Sequence, residues 1–478
     1  MSITKNYLYN LAYQILLIIL PIITVPYVTR VLGTNGIGIN TYTNSIIQYF
    51  VLLGTLGINL YGSRTIAYVR DDKEKLSKTF WSIFIIKLVT TIIAYVAFIT
   101  FTYIDKSSYS NYLWIQSINI ISVAVDVSWL LMGLEQFKKT VTRNLIVKII
   151  SVILIFTFVK TAKDLWLYIL INGLSNLIGQ LALWVYIPNI IVKVKISYDD
   201  IKVHILPSLK LFIPQIATQI YGVFDKTLVG YFGLPSEAGI YDMGQKIVYM
   251  SLTITSSMGT VMLPRITNTI VNGDIQKVKD YIIKSFNFAS YIAIPLCLGL
   301  IGISKGFSIW FFGNDFYKSS YIMEIESIII VLISWSNVTG IQLLLPLGRT
   351  NDFTLSVTIG AIVDIISNLI LVRHLYSIGA AISTVLAELS VTTIQMYLLR
   401  KELPFKDMFK DIWKYLLSSV LMFICVKLIG SKLEMGFVTT LIQICSGAVI
   451  YFIVLYILKS DFQNNAINMV KKKLKLSI

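Results

Sequence analysis

Apolar stretches long enough to matter recur from residue 8 to residue 458, with short polar connections between them. A helix of ~20 residues crosses the ~30 Å hydrocarbon core of a bilayer. On that measure the pattern predicts about 14 transmembrane helices, at 8–29, 38–61, 79–104, 111–133, 143–160, 165–187, 207–232, 239–262, 281–303, 321–346, 352–373, 376–399, 411–429 and 435–458. The fold class expected is therefore all-α integral membrane. The longest connections run to about 20 residues, which leaves no room for a soluble domain. The connection at 64–80 mixes both charge signs with spaced apolar residues; it reads as a surface helix or, preferably, a solvated loop.

Within this apolar background two helices carry polar stripes. Gln215, Gln219, Gly222 and Lys226 step by three or four along the seventh span and share one helix face. Asp242, Lys246, Tyr249, Thr253 and Ser256 do the same on the eighth. A charge at mid-bilayer costs from ~2.5 to over ~10 kcal/mol unless it meets water or a partner. Two readings follow for Asp242 and Lys246: mutual neutralisation four residues apart, or the lining of a hydrophilic cavity. Asp225 and Lys226 are consecutive, point ~100° apart on a helix and cannot face one spot. The first two spans carry an uncharged counterpart: Asn10, Gln14, Pro21 and Thr24, then Asn40, Asn44 and Gln48. Pro21 and Pro26 permit a bend in the first span.

An internal repeat connects these regions. The stretch 32–46 resembles 232–247, and Gly38 to Arg64 and Gly239 to Arg265 are both 26 residues apart. Six spans separate the copies, so both enter the membrane in the same sense, a parallel repeat of the kind many transporters use. The division expected is 1–200 and 201–402 as two six-helix bundles, with 403–478 supplying two further spans and a basic tail.

Composition adds orientation. The chain is 56% hydrophobic and 14% charged, against ~25% charged for globular proteins, and its mean hydropathy is +0.74. Its net charge of +16 reflects the cytoplasmic bias of Lys and Arg rather than nucleic-acid binding. About 28 Lys/Arg lie in the even-numbered connections and tails against about 9 in the others, which predicts cytoplasmic N- and C-termini. Four lie within spans: Lys87 and Lys148, expected to snorkel to the cytoplasmic edge, and Lys226 and Lys246, which reach neither edge. The tail at 471–478 is suited to an anionic inner leaflet. The first span, with one lysine before it and no cleavage pattern after it, reads as retained.

Enzymatic chemistry finds little support. The two histidines, His204 and His374, are far apart in sequence and near predicted membrane edges. Cys297, Cys425 and Cys445 each lie within an apolar run. No Walker motif, metal-ligand cluster or catalytic triad is recognisable, so no cofactor, metal or catalytic residue is expected. Intramembrane acids, by contrast, carry protons or bind cations. Asp126, Asp364 (sharing a face with Asn368) and Glu388 are the candidates for coupling to a proton or sodium gradient, with a structural interhelical hydrogen bond as the other reading of each.

The opening LPIITVPYVTRVLGTNGIGINTYTNSIIQYF, with GINLYGSRTIAYVRDDKEKLSKTFW, closely resembles the Wzx-type polysaccharide flippases of the multidrug/oligosaccharidyl-lipid/polysaccharide exporter superfamily. DVSWLLMGLEQFK, FDKTLVGYFGLPSEAGIYDMGQKI, LPRIT, GRTNDF and IGAAISTVLAELSV extend the resemblance over nearly the whole chain, in order and spacing. It implies two six-helix bundles around a central cavity. It also implies a cargo, an undecaprenyl-pyrophosphate-linked oligosaccharide moved from the inner to the outer leaflet of a bacterial plasma membrane by alternating access. Arg30, Asp225, Lys226, Asp242 and Lys246 are then the expected substrate handlers, the cations facing the diphosphate and the carboxylates or amides the sugar; for Arg30 the other reading is an interfacial anchor. The polysaccharide polymerase and the initiating glycosyltransferase are implied partners. Another exporter of the same fold, for peptidoglycan or teichoic-acid precursors or for drugs, is the alternative.

Overall fold

The computed structural model describes residues 3–105 and 108–464; for 3–19, 213–215, 217–218, 220–221, 257–258 and 260–261 it describes the backbone alone. The described residues are helical almost throughout and contain no strand. Two compact units divide the chain, residues 1–239 and 240–478. In the first are α1 (Ile3–Thr55), α2 (Ile58–Val69), α3 (Lys73–Ile104), α4 (Ser110–Gln116), α5 (Ile118–Ala124), α6 (Ser128–Gly133), α7 (Phe137–Phe158), α8 (Leu165–Leu183) and α9 (Tyr198–Phe232). From α10 (Pro235–Val271) the chain enters the second, with α11 (Ile275–Phe312), α12 (Ser319–Ser336), α13 (Thr350–Leu398), α14 (Phe405–Phe409), α15 (Ile412–Lys432) and α16 (Phe437–Ile457).

Two of the rods are pairs of helices merged across a sharp bend. α1 turns at Gly33 (φ 66°, ψ −179°), a conformation that favours glycine, and α13 turns at Tyr376 (φ 50°, ψ −123°). Ten helical stretches among the described residues are long and apolar enough to cross a membrane. Counting each bent rod as two and adding α9 and α10 gives fourteen, in agreement with the hydropathy pattern.

The connection at 64–80 differs from the preferred expectation. It is not a solvated loop: α2 runs to Val69 and α3 starts at Lys73, so only Arg70 to Asp72 interrupt the helix. Gly57 (φ 71°) separates α2 from α1. Asp72 then starts α3 by accepting the backbone N–H groups of Glu74 and Lys75. Those N–H groups and the Lys75 ammonium hold the Asp72 carboxyl below the usual carboxylate range. Asp274 caps α11 in the same way, accepting from the Lys277 N–H.

Each unit has its own core. In the first, Phe80 stacks on Trp129 at 5.5 Å, among Ile58, Ile66, Leu76 and Leu183. In the second, Phe286 stacks on Trp335 at 5.2 Å, among Met262, Ile282 and Leu344. Each core thus pairs a phenylalanine with a tryptophan one span later. α9 packs on α1, α2 and α3, within the first unit. The last two spans, α15 and α16, pack on α11 through Tyr291, Tyr415 and Tyr451, and the Tyr451 hydroxyl donates to the Tyr291 carbonyl at 2.7 Å.

The repeat-matched glycines Gly38 and Gly239 lie against each other. A Cβ on Gly239 would come 2.6 Å from the Thr34 carbonyl oxygen and 2.8 Å from the Gly38 nitrogen. A Cβ on Gly38 would collide with the Pro235 carbonyl. The two glycines thus meet at a backbone contact that no side chain permits.

Candidate functional site

The polar stripe on α10 has a simple signature. Asp242 and Lys246 are partly exposed, and Tyr249, Thr253 and Ser256 are exposed, while Tyr241, Met243, Gln245 and Val248 between them are buried. At 1.5 Å per residue, Lys246 lies about 17 Å along a helix that starts at Pro235. At that depth in a bilayer a partly exposed lysine and aspartate need water or a partner, because hydrocarbon would not solvate them. On α9 the corresponding face is equally open: Gln219 is exposed, Lys226 is partly exposed, and Gly222 has nothing within 4 Å of where a Cβ would stand. Asp225, rotated by one residue, is fully buried, as the helical turn requires.

Within the first unit, α1 and the helices packed on it carry uncharged groups. Tyr49, Ser45 and Thr227 form a hydroxyl cluster between α1 and α9, with Thr227 Oγ1 3.1 Å from Tyr49 Oη and 2.9 Å from Ser45 Oγ. Asn44 and Gln48 are partly exposed on α1 and bonded to each other at 3.4 Å. A chain of amides runs between spans: Gln116 Nε2 donates to Asn40 Oδ1 (3.1 Å), Asn119 Nδ2 to Gln116 Oε1 (3.1 Å) and Asn176 Nδ2 to Asn119 Oδ1 (3.3 Å). Gln116, Asn119 and Asn176 were not among the expected site residues, although paired amides at helical spacing inside apolar spans were a readable signal.

Arg30 is exposed near the end of the first α1 helix, where its Nη1 donates to the Pro26 carbonyl at 2.7 Å. That position also suits a cation at a helix C-terminus. The side chains of Gln14 and Gln215 lie outside the described residues, as does the basic tail.

The coupling candidates have distinct surroundings. Asp126 sits in the break between α5 and α6, and its carboxylate is 2.9 Å from the Lys87 ammonium. Lys87 also donates to the Asp126 carbonyl (2.9 Å) and to Asn59 Oδ1 (3.2 Å). The snorkelling expected for Lys87 therefore does not occur: its side chain is fully buried, because α2, α3 and the helix break bring three acceptors to it. Lys148 is exposed.

In the second unit Asp364, Asn368 and Glu388 are all buried on α13, and Asn368 Nδ2 donates to the Asp364 carbonyl at 3.0 Å. Glu326 on α12, fully buried, was missed among the intramembrane acids although it lies in an apolar run. Beyond it the chain forms a π-helical segment, Asn337–Leu344, an irregularity frequent at functional sites. Thr339 there donates to Gln395 Oε1 at 2.7 Å, and Gln395 Nε2 donates to Ser356 Oγ at 3.1 Å. Among the described residues no group of three or more His, Cys, Asp or Glu is arranged to hold a metal.

A helical membrane scaffold with internal charges and amides has the parts of a transporter, and comparison with known proteins assigns its family. Residues 3–270 match the family model described as polysaccharide biosynthesis protein. The chain belongs to that family. It is 25% identical over 408 residues, 84% of this chain and 97% of the relative, to a protein of Escherichia coli (strain K12) provisionally named an O-antigen transporter. It is 23% identical over 235 residues, 49% of each chain, to a provisionally named low-salt glycan biosynthesis flippase of Haloferax volcanii. Its fold is similar to that of the lipid II flippase MurJ in an inward closed conformation, with a TM-score of 0.76 and 17% identity over 96% of this chain and 99% of that one. An inward-facing multidrug resistance transporter of the MATE family and MOP superfamily matches with a TM-score of 0.63 and 11% identity over 82% and 96%. This member of the polysaccharide biosynthesis family is thus a multi-pass membrane protein with a MurJ- and MATE-like fold. Its named relatives are transporters and flippases, not enzymes.

Proposed function

We propose that this chain is a flippase that carries an undecaprenyl-pyrophosphate-linked oligosaccharide repeat unit from the inner to the outer leaflet of a bacterial plasma membrane. The transport serves capsule or other surface-polysaccharide assembly and proceeds by alternating access, with both termini cytoplasmic. The observation that carries the reading is the open polar stripe of α10, Asp242 to Ser256, well inside a helix of 37 residues. The family match and the relatives named for O-antigen and glycan transport support the cargo class.

The chemistry follows from the lining groups. Lys226, Lys246 and Arg30 offset the diphosphate, while Asp242 accepts sugar hydroxyls; Asp225, expected beside them, is fully buried and turned off the open face by its place one residue earlier on the helix. Gln14, Asn44, Gln48, Gln215 and Gln219 offer donors and acceptors to a sugar without a charge to neutralise. The lipid tail stays in the membrane. The products of the initiating glycosyltransferase are the incoming substrate, and the polymerase receives the flipped unit.

Proteoliposomes carrying a short-chain lipid-linked repeat unit test this directly, with glycan exposure read by an impermeant lectin. Protein-dependent exposure is expected, and Lys226→Ala and Lys246→Ala should each lower its rate about tenfold or more, the scale of one lost charge-assisted hydrogen bond. Gradient-driven export of cationic dyes with no glycolipid movement would overturn the reading.

Coupling is proposed to a proton or sodium gradient through Asp364, Glu388 or Asp126. Asp364→Asn or Glu388→Gln should then remove the gradient dependence of flipping measured in the same vesicles. Flipping that ignores imposed gradients in the wild type would exclude coupling.

A further inference from the structure

A cavity of about 300 Å³ opens in the second unit where the end of α10, the start of α11, the π-helical segment and the connection after α13 meet. That volume is at the low end of ligand pockets, ~300–1,000 Å³, and suits a single hydrocarbon chain. Val278, Ile282 and Leu343 form its buried floor, and Leu347 lies at its side. Lys279 and Lys401 stand on its rim, and neither has an ion-pair partner among the described residues. The one acid on the rim, Glu402, is engaged: its carboxylate accepts from Arg349 Nη1 at 2.9 Å.

The fold does not require this opening. In the first unit α3 starts at the Asp72 cap as α11 starts at the Asp274 cap, and Ser77 stands five residues after the first as Lys279 does after the second. Ser77 Oγ accepts the Val192 N–H at 3.0 Å, and Ile187 and Ile191 are buried beside Leu76 and Phe80. The returning chain fills that corner. In the second unit the corner stays open, apolar within and cationic at the edge.

We propose that the cavity holds one acyl chain of an anionic phospholipid of the inner leaflet, with its phosphate on Lys279 and Lys401. The choice of leaflet rests on the proposed orientation, in which the connections around the cavity are cytoplasmic. An acyl chain removes the apolar floor from water, and two lysines at the mouth favour an anionic headgroup over a zwitterionic one.

Native mass spectrometry of the purified full chain, supplied with equal phosphatidylglycerol and phosphatidylcholine, tests the binding. The wild type should retain phosphatidylglycerol about 30-fold in preference, the scale set by two basic residues at a membrane surface. The double change Lys279→Gln and Lys401→Gln should abolish that preference, and Leu347→Trp should lower retention of both lipids by filling the cavity. Equal retention of the two lipids by the wild type, an unchanged preference in the double variant, or undiminished retention in Leu347→Trp would overturn the proposal.

Orientation is tested separately by Lys401→Cys in a chain whose three native cysteines are alanine. Labelling by an impermeant maleimide in inverted vesicles but not in intact cells is expected; labelling from outside intact cells would overturn the inner-leaflet assignment. Neither readout involves glycolipid movement, so a failure of the flippase reading would leave both intact.

Discussion

Lys87→Ala should destabilise the protein by about 3–5 kcal/mol, the cost of leaving one half of a buried ion pair without the other. The Lys87 side chain is fully buried and that of Asp126 is 10% exposed. Removing the ammonium leaves a carboxylate held by Ser128, whose N–H donates to it at 2.9 Å. It also strands Asn59 and the Asp126 carbonyl at the break between α5 and α6. The double change Lys87→Met with Asp126→Leu removes both charges together, and such replacements are often neutral or stabilising. Thermal inactivation half-life in detergent, compared across wild type, single and double variants, measures the difference. A Lys87→Ala protein as long-lived as the wild type would show that the pair contributes nothing. If Asp126→Asn alone shortened the half-life and left gradient-dependent flipping unaltered, Asp126 would be a structural partner and the coupling role would fall to Asp364 or Glu388.

Gly38→Ala has the second large effect. The added Cβ would overlap the Pro235 carbonyl, and backbone cannot swing aside as a side chain can. Overpacking commonly costs ~1–3 kcal/mol and more where nothing yields, so loss of about 3 kcal/mol or failure to accumulate is expected. Gly239→Ala should follow it, since its Cβ would meet Thr34 and Gly38 backbone at 2.6 and 2.8 Å. Gly222→Ala is the internal control. It faces open space on α9, and exchanging a mid-helix glycine for alanine there should gain roughly 0.5–1 kcal/mol. Membrane yield and the elution profile of the three variants separate these outcomes. A well-folded Gly38→Ala protein would show that the contact has slack.

The matching of Gly38 and Gly239 was thus visible as a repeat, while their contact was not. Sequence self-similarity records that two segments match; only the fold shows that they touch. The α10 stripe was legible for the opposite reason. Helical periodicity is a local property, and Asp242, Lys246, Tyr249, Thr253 and Ser256 emerged on one open face because nothing more than 3.6 residues per turn was needed to align them. The connection at 64–80 was misread because its charges masked helix signals on either side, the Asp72 cap above all.

By itself, then, the sequence determined the number of membrane-crossing helices, the faces on which α9 and α10 carry polar groups, and the family resemblance. These rest on hydropathy and helical repeat, which act over one turn or one span. The tertiary structure decided the partners. It drew Lys87 into the core instead of toward the membrane edge, joined amides of three spans into a chain through Gln116, and left open at Lys279 a corner that the first unit closes at Ser77. Burial and pairing depend on residues tens to over a hundred positions apart, and the separation along the chain carries no information about the distance between them in space.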